Sequence, residues 1–169
     1  RKAIVWDVER GAPNEIMERP WQSCSCIGGW HYTTSVYENN WYKSASDVAK
    51  LLIDIVSKNG NLLLSVPLRA DGTFDEKEEK ILNEFGNWMN INKEAIYQTR
   101  PWKIFGEGPI ADKDVQLNAQ GFNEWAYSKA DAKEIRFTQT DKNLYATVLG
   151  WPEDGKILIR SLAEGNGLY

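Results

Sequence analysis

The sequence predicts a parallel α/β unit followed by a second, β-rich unit. Short apolar segments alternate with amphipathic helical patterns as far as Tyr97, which is the rhythm of parallel α/β architecture. From about Gly106 to Asp131 the sequence is polar and irregular. After Asp131, short β-branched and aromatic segments alternate with turn residues, so the second unit begins near residues 110–132.

Size and composition are those of a folded globular protein. The 169 residues include 42% hydrophobic and 26% charged side chains, enough for one domain with a core, or slightly more. The net charge of -4 and the lack of a Lys/Arg cluster argue against nucleic acid or an anionic membrane as the main partner. No apolar run approaches the ~20 residues of a membrane helix. The chain begins on a strand-like segment without Met or a signal peptide, so we expect a piece of a longer protein.

The first predicted elements are two short strands. Ala3–Val8 is apolar and β-branched, and it ends at the turn sequence R-G-A-P. Ser25–Trp30 is the second predicted strand. A loop over residues 11–20 connects the two, and a loop rich in Tyr, Trp and Asn follows as far as Lys43. Loops of that composition often contact sugars or peptides.

A helix is predicted after Ser44. Apolar residues recur at helical spacing: Val48, Leu51, Leu52, Ile55 and Val56. Ser44 and Asp47 form a capping signal, and Lys58-Asn59-Gly60 supplies a positive last turn with a permissive stop.

Leu62–Val66 is predicted as a third strand, because a continuous apolar run is typical of a strand covered on both faces. Asp71-Gly72 then makes a turn, and Asp75 can cap a second helix. The apolar face of that helix comprises Ile81, Leu82, Phe85, Trp88 and Met89.

Three strands are predicted in the second unit: Ile135–Thr138, Leu144–Leu149 and Lys156–Ser161. The last two are joined by G-W-P-E-D-G, in which Asp154-Gly155 is a hairpin signal.

The segment Trp21–Tyr32 holds both Cys residues, the single His, two of the eight Trp and a Gly pair. Aromatic residues crowded beside Gly predict a concave pocket on which a flat ligand can stack. Trp30 follows Gly28-Gly29 and can bind the apolar face of a sugar, although a place in the core is an equal alternative. His31 can donate to a hydroxyl group or to a backbone carbonyl.

Metal and cofactor sites lack support in the sequence. The C-x-C pair of Cys24 and Cys26, with His31, gives too few ligands at the wrong spacing for structural zinc, so we expect free, buried thiols. The motifs G-x-S-x-G, G-x-x-x-x-G-K-[ST] and G-x-G-x-x-G are missing, which removes the support for acyl transfer, nucleotide hydrolysis and dinucleotide binding. We therefore expect no metal and no cofactor.

Glu9 is the candidate catalytic residue. It follows an apolar strand, and a polar residue at the carboxyl end of a strand in a parallel α/β barrel points into the active-site mouth. A general acid needs a carboxyl group of raised pKa, for which nearby Trp rings can supply apolar surroundings. The alternative is a solvated loop carboxylate paired with Arg10. Glu15 and Glu18 in the following loop compete for the same role.

Ordered motifs add a family resemblance. The chain contains V-W-D-V-E-R-G, W-Q-S-C-S-C-I-G-G-W-H-Y, D-I-V-S-K-N-G-N-L-L-L-S-V-P-L-R-A-D-G-T-F and G-N-W-M-N-I-N-K-E-A-I-Y-Q-T-R-P-W. This order resembles the downstream part of glycoside hydrolase family 29, the α-L-fucosidases. E-I-R-F-T-Q-T-D-K-N-L-Y-A, further on, resembles the family's entry into its C-terminal β-sandwich.

The resemblance implies a fold more specific than the pattern alone. It implies an α/β fold in which a partial TIM-like (β/α) barrel, about the last three strands, precedes the start of a C-terminal β-sandwich. The expected boundaries are 1–106 for the barrel portion, 107–131 for an irregular linker and 132–169 for the β-sandwich portion.

The resemblance also implies a retaining exo-α-L-fucosidase with an Asp nucleophile and a Glu acid/base. Glu9 aligns with the acid/base position of some members, and Trp30, His31 and Trp21 are the expected substrate-binding residues. The nucleophile is expected upstream of residue 1, because Asp7 lies roughly 6 to 7 Å deeper on the same strand. Many members have W-E where this chain has Trp21-Gln22, so a particular subgroup is implied. The acid/base Glu is poorly fixed across the family's alignments, so Glu15 and Glu18 stay open as alternatives.

The expected partners are a fucosylated oligosaccharide or glycoconjugate and the upstream remainder of the barrel, in a periplasmic, extracellular or lysosomal setting. On its own the chain is expected to be inactive. Two other functions stay open: a non-catalytic carbohydrate-binding module, and a degenerate family member that binds fucose without cleaving it.

Overall fold

The computed structural model describes residues 4–113 and 122–168, and its strands form two three-stranded sheets. In chain order the elements are β1 (Asp7–Glu9), β2 (Trp21–Cys26), α1 (Thr34–Asn39), α2 (Ala45–Ser57), β3 (Gly60–Ser65), α3 (Glu76–Asn92), β4 (Arg100–Glu107), β5 (Ile135–Gln139) and β6 (Leu144–Val148). Single 3₁₀ turns cover Lys93–Ala95, Glu124–Lys129 and Arg160–Leu162. In the described part of the chain, no helix has the length and apolar character needed to cross a membrane.

The first sheet is parallel, in the order β1-β2-β3. Glu9 is paired with Cys24, and Trp21 is paired with Gly60. Since side chains alternate along a strand, the register divides the sheet into two faces. The covered face carries Val8, Trp21, Ser23 and Ser25, which are all buried. The open face carries Asp7, Glu9, Gln22, Cys24 and Leu63, which are exposed or half-buried.

Helix α2 covers one face of this sheet and confirms the helix predicted after Ser44. The Ser44 side chain accepts from the Asp47 amide while the Asp47 carboxylate accepts from the Ser44 amide, which is the predicted capping box. Leu51 and Ile55 pack with Val8 and Trp21 in the main core cluster. The indole Nε1 of Trp21 donates to the Lys58 carbonyl at 2.9 Å, which fixes the sheet against the end of the helix.

Helix α3 is also confirmed, with Asp75 as its predicted N-cap, and Glu78 completes a capping box. Asp75 accepts from the amides of Lys77 and Glu78. The apolar face of α3 is only half-buried: Trp88 and Met89 pack on a second cluster that includes Ile53.

The bounds of the first two strands differ from the prediction. Of the predicted strand Ala3–Val8, Ala3 lies outside the described residues, and pairing begins only at Asp7. β2 begins at Trp21 and ends at Cys26, earlier than the predicted Ser25–Trp30. The reason is that the Ile27 amide makes the last bond to β3, to the Ser65 carbonyl, after which the chain turns away. The loop predicted to run to Lys43 contains helix α1.

The second sheet is antiparallel, in the order β4-β5-β6. β5 and β6 confirm two of the predicted strands. The predicted strand Lys156–Ser161 is wrong, because its backbone is held by a carboxylate instead of a ladder: Glu107 accepts from the amides of Arg160 and Ser161 at 2.8 and 2.6 Å. β4 was not predicted, and it places residues before 107 in this sheet. The boundaries 1–106, 107–131 and 132–169 stay a prediction.

Candidate functional site

Glu9 lies at the carboxyl edge of the first sheet. It is the last residue of β1, and the loop of Gly28 to His31 follows the neighbouring, parallel strand β2, so both reach the same edge. The side chain of Glu9 is half-buried and belongs to the open face. Glu9 and the loop of Gly28 to His31 therefore lie at the same edge of the sheet.

Asp7 is engaged by β2. Its carboxylate accepts from Gln22 Nε2 at 2.9 Å and from Cys24 Sγ at 3.3 Å. Partial burial, followed by the bond to and the charge of Asp7, raises the pKa of the Cys24 thiol to about 11. Cys24 is therefore a protonated donor at neutral pH, and Asp7 is a carboxylate whose oxygens are already bonded. Cys24 and Cys26 are both free thiols.

Arg10 does not bond to Glu9. Its Nε donates to Glu124 Oε1 at 2.7 Å, so the alternative of a Glu9–Arg10 ion pair is replaced by an ion pair with a distant residue. The Arg10 backbone has φ of 50°, in the left-handed region that few non-glycine residues adopt. The chain thus changes direction sharply just after Glu9.

Trp30 and His31 are exposed on the loop after β2, with Trp30 at 40%. The His31 carbonyl accepts from Thr33 Oγ1 at 3.1 Å. At Gly28, a Cβ atom would lie 2.7 Å from Val36 Cγ1 and 3.0 Å from the Tyr42 ring. Glycine therefore allows Val36 of α1 and Tyr42 to pack closely on the start of this loop.

Trp21, Glu15 and Glu18 do not lie on the open face of the first sheet with Glu9. Trp21 is 1% exposed on the covered face, where its ring lies 6.2 Å from that of Trp6. This burial assigns Trp21 to the core and not to the open face on which Glu9 lies. Glu15 and Glu18 are exposed in the loop between β1 and β2.

Glu124 is a buried anion that the sequence did not reveal. Its side chain, 8% exposed, accepts from Ser25 Oγ at 2.5 Å and pairs with Arg10 and with Lys43 Nζ, the latter at 3.1 Å. Burial alone would raise its pKa, but the bond from Ser25 and the charges of Lys43 and Arg10 outweigh burial and lower it. Glu124 lies in the polar stretch that looked irregular, far in sequence from its partners, so no local pattern marks it.

The carboxylates and thiols do not converge on a metal-binding arrangement. Among residues 4–113 and 122–168, no three His, Cys, Asp or Glu side chains are placed to hold an ion together.

Comparison with known proteins identifies the family. The family model described as alpha-L-fucosidase matches residues 3–94. The chain belongs to the alpha-L-fucosidase family. The match covers more than half of the chain, and it includes Glu9, Trp21, Trp30 and His31, whereas Glu124 lies beyond it.

Relatives in this family come from distant organisms. An alpha-L-fucosidase of Dictyostelium discoideum is 31% identical over 155 residues, which are 91% of this chain and 28% of that protein. A human plasma alpha-L-fucosidase is 28% identical over 153 residues, covering 89% of this chain and 28% of the relative. The chain thus spans little more than a quarter of the length of these fucosidases.

Solved structures show the same relationship. An alpha-L-fucosidase structure superposes with a TM-score of 0.67 at 25% identity, covering 87% of this chain and 29% of that one. A Thermotoga maritima alpha-fucosidase in complex with fucose superposes with a TM-score of 0.62 at 26% identity, covering 82% of this chain and 28% of that one. Both the family model and these structures support the fucosidase resemblance.

Proposed function

We propose that this chain supplies one side of the active site of a retaining exo-α-L-fucosidase, which removes terminal α-L-fucose from glycans. The main support for this proposal is the position of Glu9. It is a half-buried carboxyl group at the carboxyl end of a parallel strand, and it lies inside the region that the alpha-L-fucosidase family model matches. In parallel α/β barrels, that end of the strands is where catalytic side chains converge.

Glu9 is the proposed acid/base. Retention needs two carboxyl groups about 5 to 5.5 Å apart, one to attack the anomeric carbon and one to protonate the leaving oxygen. Glu9 gives its proton to the glycosidic oxygen in the first step. In the second step it takes a proton from the water that hydrolyses the fucosyl-enzyme.

The nucleophile belongs to a part of the enzyme outside these residues. Asp7 is unsuited, because Gln22 and Cys24 donate to its oxygens and it lies roughly 6 to 7 Å deeper on the strand than Glu9. We therefore assign the attacking Asp to the upstream chain, which would complete the barrel. By itself, the 169-residue chain is expected to be inactive.

Trp30 and His31 are the proposed fucose contacts. The ring of Trp30 is partly exposed at the same edge as Glu9 and offers a flat apolar face to the C–H bonds or the methyl group of fucose. His31 offers a donor to a sugar hydroxyl. Trp21 supports them from the core, beneath the strand that leads into their loop.

The two sheets also support a proposal for the fold of the complete enzyme. The three parallel strands with an open face correspond to the last three strands of a TIM-like barrel, and the antiparallel sheet to the start of a β-sandwich. The open face in the described residues is the side that the remaining strands would cover. Because relatives include plasma and tissue enzymes, we propose an extracellular, periplasmic or lysosomal setting.

The proposed function is tested by the stereochemistry of fucoside hydrolysis by the full-length protein. It is expected to hydrolyse an aryl α-L-fucoside, with α-fucose as the first product seen by proton NMR, whereas the 169-residue chain is expected to show no turnover. Release of β-fucose first would contradict a retaining mechanism. Fucose binding without turnover by the full-length protein would favour a degenerate member of the family.

A further inference from the structure

We propose that Glu124, assisted by Asn123, is a positioning residue that fixes the carboxyl end of β1 and binds the Arg10 guanidinium, so that Arg10 forms no ion pair with Glu9. This inference rests on the proposed function of Glu9 as the acid/base. It adds to that function a device from a distant part of the chain, which lies outside the region matched by the family model.

Two backbone hydrogen bonds hold the end of β1. The Phe122 amide donates to the Glu9 carbonyl at 2.9 Å, and the Glu124 amide donates to the Arg10 carbonyl at 3.0 Å. On the other side, the Arg10 amide donates to the Cys24 carbonyl of β2 at 2.8 Å. The backbone that carries Glu9 is therefore held from both sides.

Asn123 secures the next turn of the chain. Its side-chain amide is buried and forms a reciprocal pair with Ala12: the Ala12 amide donates to Oδ1, and Nδ2 donates to the Ala12 carbonyl, each at 3.0 Å. A Cβ atom at Gly11 would overlap Asn123 Oδ1, so this contact requires glycine there. Ser23 Oγ donates to the Gly11 carbonyl at 2.7 Å, which ties the same turn to β2.

The Glu124 carboxylate joins the ends of both strands. It accepts from Arg10 after β1 at 2.7 Å and from Ser25 in β2 at 2.5 Å. Lys43 lies 3.1 Å from the same carboxylate and also donates to the Cys26 carbonyl at 2.7 Å. The Arg10 guanidinium additionally lies 5.9 Å from the centre of the Phe122 ring. These contacts hold Arg10 in its left-handed backbone conformation.

The consequence for catalysis is electrostatic as well as geometric. A general acid must keep its proton at working pH, and a guanidinium beside it would stabilise the carboxylate form. The charged and titratable groups around Glu9 are Asp7 on its own strand, Arg10 directly after it, Cys24 and Cys26 on β2, and the pair of Lys43 and Glu124. Of the two cations, Arg10 follows Glu9 directly in the chain and is close enough to feel its charge, and Glu124 binds both Arg10 and Lys43.

The test compares Glu124→Gln with wild type in the full-length enzyme. For a fucoside with a poor leaving group, kcat/KM is expected to fall by about tenfold, because the acid is misplaced and less protonated. The basic limb of its pH profile, which reports ionisation of the acid, is expected to move to lower pH. An aryl fucoside with a good leaving group should be affected by less than about threefold, since it needs little protonation.

Two further variants separate positioning from general damage. In Arg10→Met/Glu124→Gln the guanidinium next to Glu9 is gone, so the basic limb is expected to return towards the wild-type pH. Glu107→Gln is the matched control, because Glu107 is a buried carboxylate that accepts backbone bonds in the second sheet. It is expected to lower the melting temperature without moving the pH profile.

If Glu124→Gln does not fold, Ser25→Ala removes one bond to the same carboxylate and is expected to move the limb in the same direction by less. An unchanged pH profile in a folded Glu124→Gln or Ser25→Ala enzyme would overturn the inference. Wild-type turnover of α-L-fucoside tests the proposed function separately, since failure there shows in the enzyme that carries no substitution.

Discussion

Arg136 Nε on β5 donates to Asp54 Oδ1 on α2 at 2.6 Å, and both side chains are at most 1% exposed. Asp54 also accepts from Lys58 Nζ at 2.7 Å, and Arg136 bonds Glu134 at 3.0 Å. The Tyr127 hydroxyl lies 3.2 Å from Lys58 Nζ. This buried network is the polar joint between the helix that covers the parallel sheet and the antiparallel sheet.

Asp54→Asn is expected to destabilise the protein by about 3 to 5 kcal/mol, because two buried cations lose their shared carboxylate. Chemical unfolding of the full-length protein measures this loss. The exposed pair of Lys80 and Glu84 is the control, and Glu84→Gln should cost less than about 1 kcal/mol. If Asp54→Asn lowered the free energy of unfolding by as little as Glu84→Gln does, the buried network would not be what holds α2 to the antiparallel sheet.

The Cys24 thiol is expected to titrate near pH 11, because partial burial and the neighbouring Asp7 disfavour the thiolate. Between the ordinary thiol pKa of about 8.5 and pH 11 the folded state holds the extra proton, so the free energy of unfolding falls as pH rises through this window. The rate of alkylation against pH measures the pKa. Asp7→Asn should lower it, and a wild-type value near 8.5 would contradict the Asp7–Cys24 contact.

Gly60→Ala is expected to destabilise the protein by about 1 to 3 kcal/mol, because the new methyl group overpacks the core. Its Cβ would lie 2.6 Å from the Trp21 ring and 2.7 Å from Ile55 Cγ2. Gly86→Ala is the opposite case, since nothing lies within 4 Å of its Cβ position in the middle of α3. That variant should gain roughly 0.5 to 1 kcal/mol from helix propensity. Thermal melts of both variants measure the change in melting temperature. Equal changes for Gly60→Ala and Gly86→Ala would contradict the close packing of Trp21 on β3.

Trp30→Ala is expected to raise KM for aryl α-L-fucoside by about tenfold or more, because a stacking face for the sugar is lost. The matched control is Trp151→Ala, since Trp151 is 91% exposed in the second unit, away from the β1–β2 edge. Steady-state kinetics of the full-length enzyme distinguish the two. Equal KM values for Trp30→Ala and wild type would remove Trp30 from the proposed site.

Local signals in the sequence were enough for the two main helices. The capping boxes begun by Ser44 and Asp75 lie within four consecutive residues each, and both form in the structure. β4 was missed because its partners lie 28 to 39 residues further along the chain and its pairing is irregular between Pro101 and Gly106. Lys58 was expected to supply a positive last turn of the helix, and the structure shows that its side chain is buried in the ion-pair network around Asp54, which the local sequence could not indicate.

Some residues of the candidate site could be proposed from the sequence, and others could not. Strand-end position and the family resemblance led to the proposals for Glu9 and Trp30, which lie at the same edge of the first sheet. The resemblance also implied that Trp21 binds substrate, but strand alternation turns its side chain to the covered face. Glu124 could not be predicted, since Arg10 and Ser25 are 114 and 99 residues away from it.

Glu9→Ala in the full-length enzyme is the decisive variant for the proposed acid/base role of Glu9. With an activated aryl α-L-fucoside, the variant should form a fucosyl-enzyme that water attacks slowly, since no base assists. Azide needs no base, so its addition should restore turnover and yield α-fucosyl azide of retained configuration. Glu15→Ala and Glu18→Ala should show neither the loss nor the rescue. If Glu9→Ala hydrolysed a fucoside with a poor leaving group at the wild-type rate, without azide, Glu9 would not be the acid/base.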